Sequence, residues 1–339
     1  MKLAVASVAA AGLLLTLSGC PNKDRRESLK ASKAGSVAFG QKQFENAANN
    51  YKKATDLWPD NHTAWYGLGG SYIQKGDWDK ASEALSEAAK LKPEEAMYQM
   101  YLGIALYRRE VKSARDELAK KEGKKPEEVE PDLSTRNFEK PKQFLQEAAK
   151  INPDLWKAHY YLGSIYRDTG KPKEAAESFN KSLESAPSDP GPWVALAELY
   201  RRWDHTDQAI QVAEQGVKAV PGDNEKSDLF FVAGMGYEDK SPPNHAKAIA
   251  MFDEALKARR DNHKAKFQRG QAYFKSGEYP KAKLDLEEFS KQGGGSVEFE
   301  KQQASRMLLD IAAKSATQNN TPPQEKLSPE DVVKKGKKG

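Results

Sequence analysis

Along most of the chain, apolar residues recur at spacings of three and four among Lys, Glu, Gln and Asn, the pattern of a helix with one buried stripe. The stripes come in pairs. Ala47, Tyr51, Ala54 and Pro59 are matched 34 residues later by Ala81, Leu85, Ala88 and Pro93. The set returns at Leu145, Ala148 and Pro153, at Ala175, Phe179, Ser182 and Pro187, and at Ala209, Ala213, Gly216 and Pro221. Upstream lies a second signature, Trp65-x-x-Leu68-Gly69-x-x-Tyr72, echoed by Leu102-Gly103-x-x-Leu106, Leu162-Gly163-x-x-Tyr166 and Trp193-x-x-Leu196-Ala197-x-x-Tyr200. Each period therefore predicts two helices, which small residues at Gly69, Gly103, Gly163, Ala81 and Ala175 let approach closely, with Pro ending the second. One such pair cannot bury its own stripe, so the pattern predicts an all-α stack of pairs.

Two more units follow, one on Gly234, Tyr237, Ala248, Phe252 and Ala255, the other on Gly270, Tyr273, Gly277, Tyr279, Ala282, Leu286 and Phe289, with Gly293 to Gly295 ending its second helix. These residues resemble the tetratricopeptide repeat. The resemblance implies a right-handed superhelical solenoid of about seven repeats over residues 28–295, with the first helices lining a concave face. Residues 296–314, carrying Phe299, Met307, Leu308 and Ile311, suit a capping helix, and the Lys-rich stretch 315–339 is expected to be disordered. The third unit departs from the period: Pro93 and Pro153 are 60 residues apart, 26 more than 34. Val111, Ala114 and Leu118 continue one helical face into this insertion (about 110–135), which predicts an arm projecting past the stack, either a tolerated insertion or a second contact surface.

Residues 1–19 form a different kind of segment. Lys2 precedes an uncharged run of Ala, Val and Leu that ends in Leu17-Ser18-Gly19-Cys20. That run is too short to span a bilayer and has the form of a cleaved signal peptide. Leu-Ser-Gly-Cys resembles the lipobox of bacterial lipoproteins. The resemblance implies cleavage after Gly19, diacylglycerol on the Cys20 sulfur and a fatty acid such as palmitate on the new amino terminus. Residues 20–27 would then be a lipidated Cys and a short polar tether. No Asp follows Cys20, so the resemblance favours the periplasmic side of the outer membrane; the sorting rule differs between bacterial groups, which leaves the inner membrane and the cell surface open.

Composition narrows the chemistry. Cys20 is the only Cys of 339 residues, which excludes a disulfide framework and thiolate metal sites. The 54 basic and 49 acidic residues nearly cancel, giving a mixed surface and no expectation of a nucleic-acid partner. The five His residues are dispersed, no phosphate-cradling loop follows a strand, and no carboxylate pair stands apart, so the chain reads as no enzyme, with no metal and no cofactor beyond the covalent lipid.

In the family that the repeats resemble, ligands meet first-helix residues that do not pack on the second helix. That register picks out Tyr66, Met100, Ile104, Tyr107, Tyr160, Arg167, Arg201, Phe231, Met235, Phe267 and Phe274. The set is aromatic and apolar with intervening Arg, which suits an amphipathic helix or an extended peptide; packing between neighbouring repeats would use the same residues. The Lys and Asn clamp by which chaperone cofactors of that family hold a carboxylate is not supported, because the matching positions hold Tyr66, Gly70, Tyr101, Lys157 and Tyr161. The chain thus reads as a lipid-anchored scaffold for a protein partner of the cell envelope, similar in architecture to type IV pilus pilotins and other envelope repeat lipoproteins. A module for peptidoglycan or exported polysaccharide is the second reading.

Overall fold

The computed structural model describes residues 21–291 and 298–319; the leader with Cys20, Gly293 to Gly295 and the tail from 320 lie outside them. Among the described residues there are fifteen α-helices and no strand. Within the first part of the chain they pair as the period predicts, α1 (Pro21–Gly40) with α2 (Phe44–Leu57), α3 (His62–Lys75) with α4 (Trp78–Leu91) and α5 (Ala96–Glu122) with α6 (Glu139–Ile151); α7 (Trp156–Asp168) and α8 (Pro172–Ser185) follow in chain order. Next come α9 (Pro190–Arg202) and α10 (Thr206–Ala219), α11 (Asp223–Asp239) and α12 (His245–Ala258), α13 (His263–Lys275) and α14 (Tyr279–Lys291), then α15 (Glu298–Asn319). The fold is an all-helical repeat solenoid with a helical insertion in its third repeat.

The chain divides into two compact units, Met1–Ala114 with Leu133–Thr169, and Arg115–Asp132 with Gly170–Gly339. Inside each, helices touch their chain neighbours and the next helix but one, as in α1 with α3 and α9 with α11. The repeating Ala positions explain the close pairing: Ala47, Ala54, Ala81, Ala88, Ala148, Ala209, Ala213, Ala248, Ala255 and Ala282 are wholly buried. Between them stand the large core residues of the same register, Leu85, Leu145, Phe179, Phe252 and Leu286, also wholly buried. Each is worth about 1.5–3 kcal/mol of apolar burial. Gly69 shows why the partner helix demands a missing side chain, since a Cβ there would lie 2.5 Å from Leu85 Cγ.

A hydrogen bond repeats with the same register. Trp65 Nε1 donates to the Pro59 carbonyl at 2.7 Å, Gln99 Nε2 to Pro93 at 2.9 Å and Trp193 Nε1 to Pro187 at 2.7 Å, and His159 Nε2 meets the Pro153 carbonyl at 2.9 Å. The residue six places after each of these four turn prolines thus closes the turn, whereas six places after Pro221 stands Ser227, which bonds elsewhere. A second device appears once in each unit. Asn61 accepts from Ala64 N at 3.1 Å as N-cap of α3 and donates to Ser28 Oγ at 2.9 Å, and that hydroxyl donates to the Ala54 carbonyl at 2.7 Å. Asn262, Ser227, Ala255 and Ala265 repeat this arrangement at 2.8–3.1 Å.

Three expectations differ from the structure. Residues 21–27 are not an extended tether but the opening of α1: Pro21 suits a first helical turn, and the Arg25 guanidinium lies 4.6 Å over the Trp58 ring, fastening the segment to the end of α2. Residues 115–132 are not a projecting arm; they count with the second compact unit, Ala119 is buried, and a 3-10 turn at Pro126–Glu128 ends the excursion. Helix α15 continues past 314 to Asn319, because no Gly or Pro interrupts it. Its Ala304 and Ile311 are buried against Phe267, Leu286 and Phe289, whereas Phe299 is 68% exposed and takes no part in the cap.

Candidate functional site

In the first unit the first helices α3, α5 and α7 carry a row of aromatic rings. Tyr66 of α3 stacks on Tyr98 of α5 at 4.8 Å and meets Tyr101 edge-on at 5.7 Å, while His62 Nδ1 lies 2.8 Å from Tyr98 Oη. Tyr66 is half-buried, and that burial, with Tyr101 and Tyr98 beside it, pushes its hydroxyl far above the usual tyrosine range. Farther along α5, Tyr107 donates to Asp168 Oδ2 at 2.6 Å and touches Phe138 and Tyr161 at 5.4 and 5.8 Å. Burial and then the Asp168 charge keep the Tyr107 hydroxyl protonated. Arg167 Nε donates to the other Asp168 oxygen at 2.9 Å, so both oxygens of this carboxylate are hydrogen-bonded and its charge is paired with one guanidinium. Tyr160 and Tyr161 meet edge-to-face at 5.2 Å, and the Arg108 guanidinium lies 5.4 Å over the Tyr161 ring.

The second unit is arranged differently. Arg201 pairs with Asp239 at 2.8 Å. Phe231 lies 6.0 Å from Phe252, and Met235 packs with Ala248, Phe252 and Ala272. Phe274 meets Tyr279 at 5.7 Å and is covered by the Lys314 ammonium of α15, 5.1 Å above its ring. Glu238, whose side chain is 6% exposed, joins α11 to α12 and α13 through His245 at 2.7 Å and Lys275 at 2.8 Å. Aromatic side chains here are spent on joining helices.

Models of the tetratricopeptide repeat match residues 38–103, 156–189 and 244–288. These three segments are tetratricopeptide repeats. Its fold is similar to that of a tetratricopeptide repeat protein from Parabacteroides merdae, 15% identical, with a TM-score of 0.56 over 85% of this chain and 99% of that one. PilF of Pseudomonas aeruginosa, 18% identical, aligns with a TM-score of 0.50 over 74% of this chain and 98% of its own. In sequence it is similar to the Protein CTR9 homolog of Arabidopsis thaliana, 26% identical over 277 residues, 74% of this chain and 24% of that protein. The chain spans 12% to 35% of the length of the curated relatives it matches. Tetratricopeptide repeats build scaffolds for protein–protein interaction, and no catalytic family is indicated.

The repeat register places the eleven expected face residues unevenly. Tyr66, Tyr160 and Arg167 come together with Tyr107 in the first unit and keep part of their surface open. Met100, Ile104 and Tyr107 are 2–5% exposed and belong to the core around Leu145 and Leu162; Phe267 is 3% exposed against Phe289. These four are corrected to packing residues, because the neighbouring helix covers the face that the register assigns to a ligand. Arg201, Phe231, Met235 and Phe274 are half-buried but dispersed among helix joints. Three face residues were not in the expected set: Tyr101, Arg108 and Tyr161. Two of them had a common signal, since Tyr101 and Tyr161 each directly precede a Leu-Gly pair of the repeat. Among the described residues no helix is long and apolar enough to cross a membrane, and no cluster of His, Cys, Asp or Glu is placed to hold a metal.

Proposed function

We propose that this tetratricopeptide repeat chain is a non-enzymatic scaffold, held at a bacterial envelope membrane through lipid on Cys20, that grips a protein segment along the first-helix face of its first unit. The observation that supports gripping is the row of partly open tyrosines with Arg108 and Arg167 on α3, α5 and α7, since rigid aromatics with Arg give apolar contact and oriented hydrogen bonds at low entropic cost. Anchoring rests on Leu17-Ser18-Gly19-Cys20. Several acyl chains at about 0.8 kcal/mol per buried methylene hold a soluble domain stably. The resemblance to pilotin and other envelope lipoproteins favours a role in assembling pilus, secretion or wall machinery on the periplasmic side of the outer membrane.

Crosslinking in cells followed by affinity recovery, run beside Cys20→Ala, tests both halves. The anchored protein should fractionate with membranes and recover one partner set; Cys20→Ala should become soluble and lose partners that need the membrane. Unchanged processing and fractionation of Cys20→Ala would refute the anchor. Binding of the purified soluble domain to protein-free sacculi would replace the protein partner by a glycan, on which the same tyrosines would stack.

A further inference from the structure

Four arginines of the first helices meet a carboxylate: Arg109 with Glu110, Arg167 with Asp168, Arg201 with Asp239 and Arg269 with Asp285 and Asp253. Arg108 does not. It is exposed, yet its guanidinium is held in place, 5.4 Å over the Tyr161 ring with Nη2 donating to Tyr161 Oη at 3.2 Å. No carboxylate lies within ion-pair reach of it among the described residues. Asp168 is engaged by Tyr107 and by its neighbour Arg167. Tyr161 is itself fixed by ring contacts with Tyr107 at 5.8 Å and Tyr160 at 5.2 Å. A guanidinium has five N–H donors in a planar fork, and a single bond to a phenol leaves most of them for a planar anion. Holding the fork beforehand removes part of the ordering cost that binding would otherwise carry.

We infer that Arg108, oriented by Tyr161, takes an Asp or Glu side chain of the bound protein segment, while Tyr66, Tyr101 and Tyr160 take apolar residues of the same segment. This rests on the reading of the first-helix face as the gripping surface. An acidic residue within a continuing chain fits better than a chain end, because of the five positions that match a terminal-carboxylate clamp only Lys157 carries a cation, the others holding Tyr66, Gly70, Tyr101 and Tyr161.

A random dodecamer display library panned on the purified chain lacking the leader, beside Arg108→Gln and Arg108→Lys, tests this. Enriched peptides are resynthesised with Glu or Gln at the selected acidic position, each as free acid and as amide. The wild type should enrich Asp or Glu next to aromatic and aliphatic residues and bind the Glu peptide about tenfold more tightly than the Gln peptide, as a charge-assisted bond allows. Arg108→Gln should bind the Glu and Gln peptides about equally, losing that ratio, and Arg108→Lys should keep part of it; thermal melts show whether each variant is folded. Equal acid enrichment by wild type and Arg108→Gln overturns the inference and leaves the face intact as a gripping surface. A preference set by the free terminal acid instead also overturns it. If the wild type enriches nothing over the starting pool, the gripping surface and the acid anchor fall together.

Discussion

Asn61 and Asn262 occupy the same place in two repeats, each buried and each spending its carbonyl on a helix N-terminus and its amide on a serine hydroxyl. Replacing Asn262 by Ala removes a cap and strips a partner from buried Ser227, with an expected loss of about 2 kcal/mol read from the urea midpoint. Gly69 is the opposite case, a place where adding one atom does harm. A Cβ there reaches Leu85 Cγ and both its methyls, so Gly69→Ala is expected to cost about 2 kcal/mol through overpacking, although alanine favours helix more than glycine does. The glycine was legible in the sequence as a small residue between helices, but the Asn–Ser pairs were not. Their members lie 33 and 35 residues apart and use ordinary polar side chains, so only the fold brings them together.

Helix boundaries follow short-range chemistry and were largely legible. Asp77 caps α4 by accepting from Lys80 N at 3.3 Å and pairs with the Lys80 ammonium at 2.9 Å. Burial opposes the charge, but those two bonds outweigh it and hold the Asp77 carboxyl below its usual range. A depressed folded pKa gives stability that is present above the unfolded carboxylate pKa and is lost as pH falls through the lower folded value. Asp77→Ala should therefore cost about 1 kcal/mol at neutral pH, and this difference from wild type should close in denaturation curves taken at pH 3 and below. The bond from the residue six places after Pro59, Pro93, Pro153 and Pro187 belongs to the same scale. His159→Gln keeps an N–H for the Pro153 carbonyl and should stay within about 0.5 kcal/mol of wild type, whereas His159→Leu should lose about 1 kcal/mol on the same urea assay. The candidate face was legible only in part for a related reason. Register says which side of α5 Met100, Ile104 and Tyr107 occupy, but whether a side is open depends on the bulk of the helices beside it, and Phe138, Leu145 and Leu162 fill that space.

For the molecule as a whole, the period of 34 made the architecture readable because Ala recurs through the repeats and Pro closes five of them independently. The ends and the insertion broke the period, and there the expectations slipped at residues 21–27, 115–132 and 315–319. Inside each unit helices meet only near neighbours in the chain, so stability is a sum of local terms. Phe252→Ala is accordingly expected to cost about 3–5 kcal/mol, with loss of amide protection greatest in α11 to α13 and fading towards α15, as followed by hydrogen exchange. The closing bond on the turn prolines carries an evolutionary corollary. It is made by indole, carboxamide and imidazole alike, so a repeat can drift from Trp through Gln to His while its turn stays shut. Kinship scored by side-chain bulk will then fade sooner than kinship scored by a donor N–H at that place.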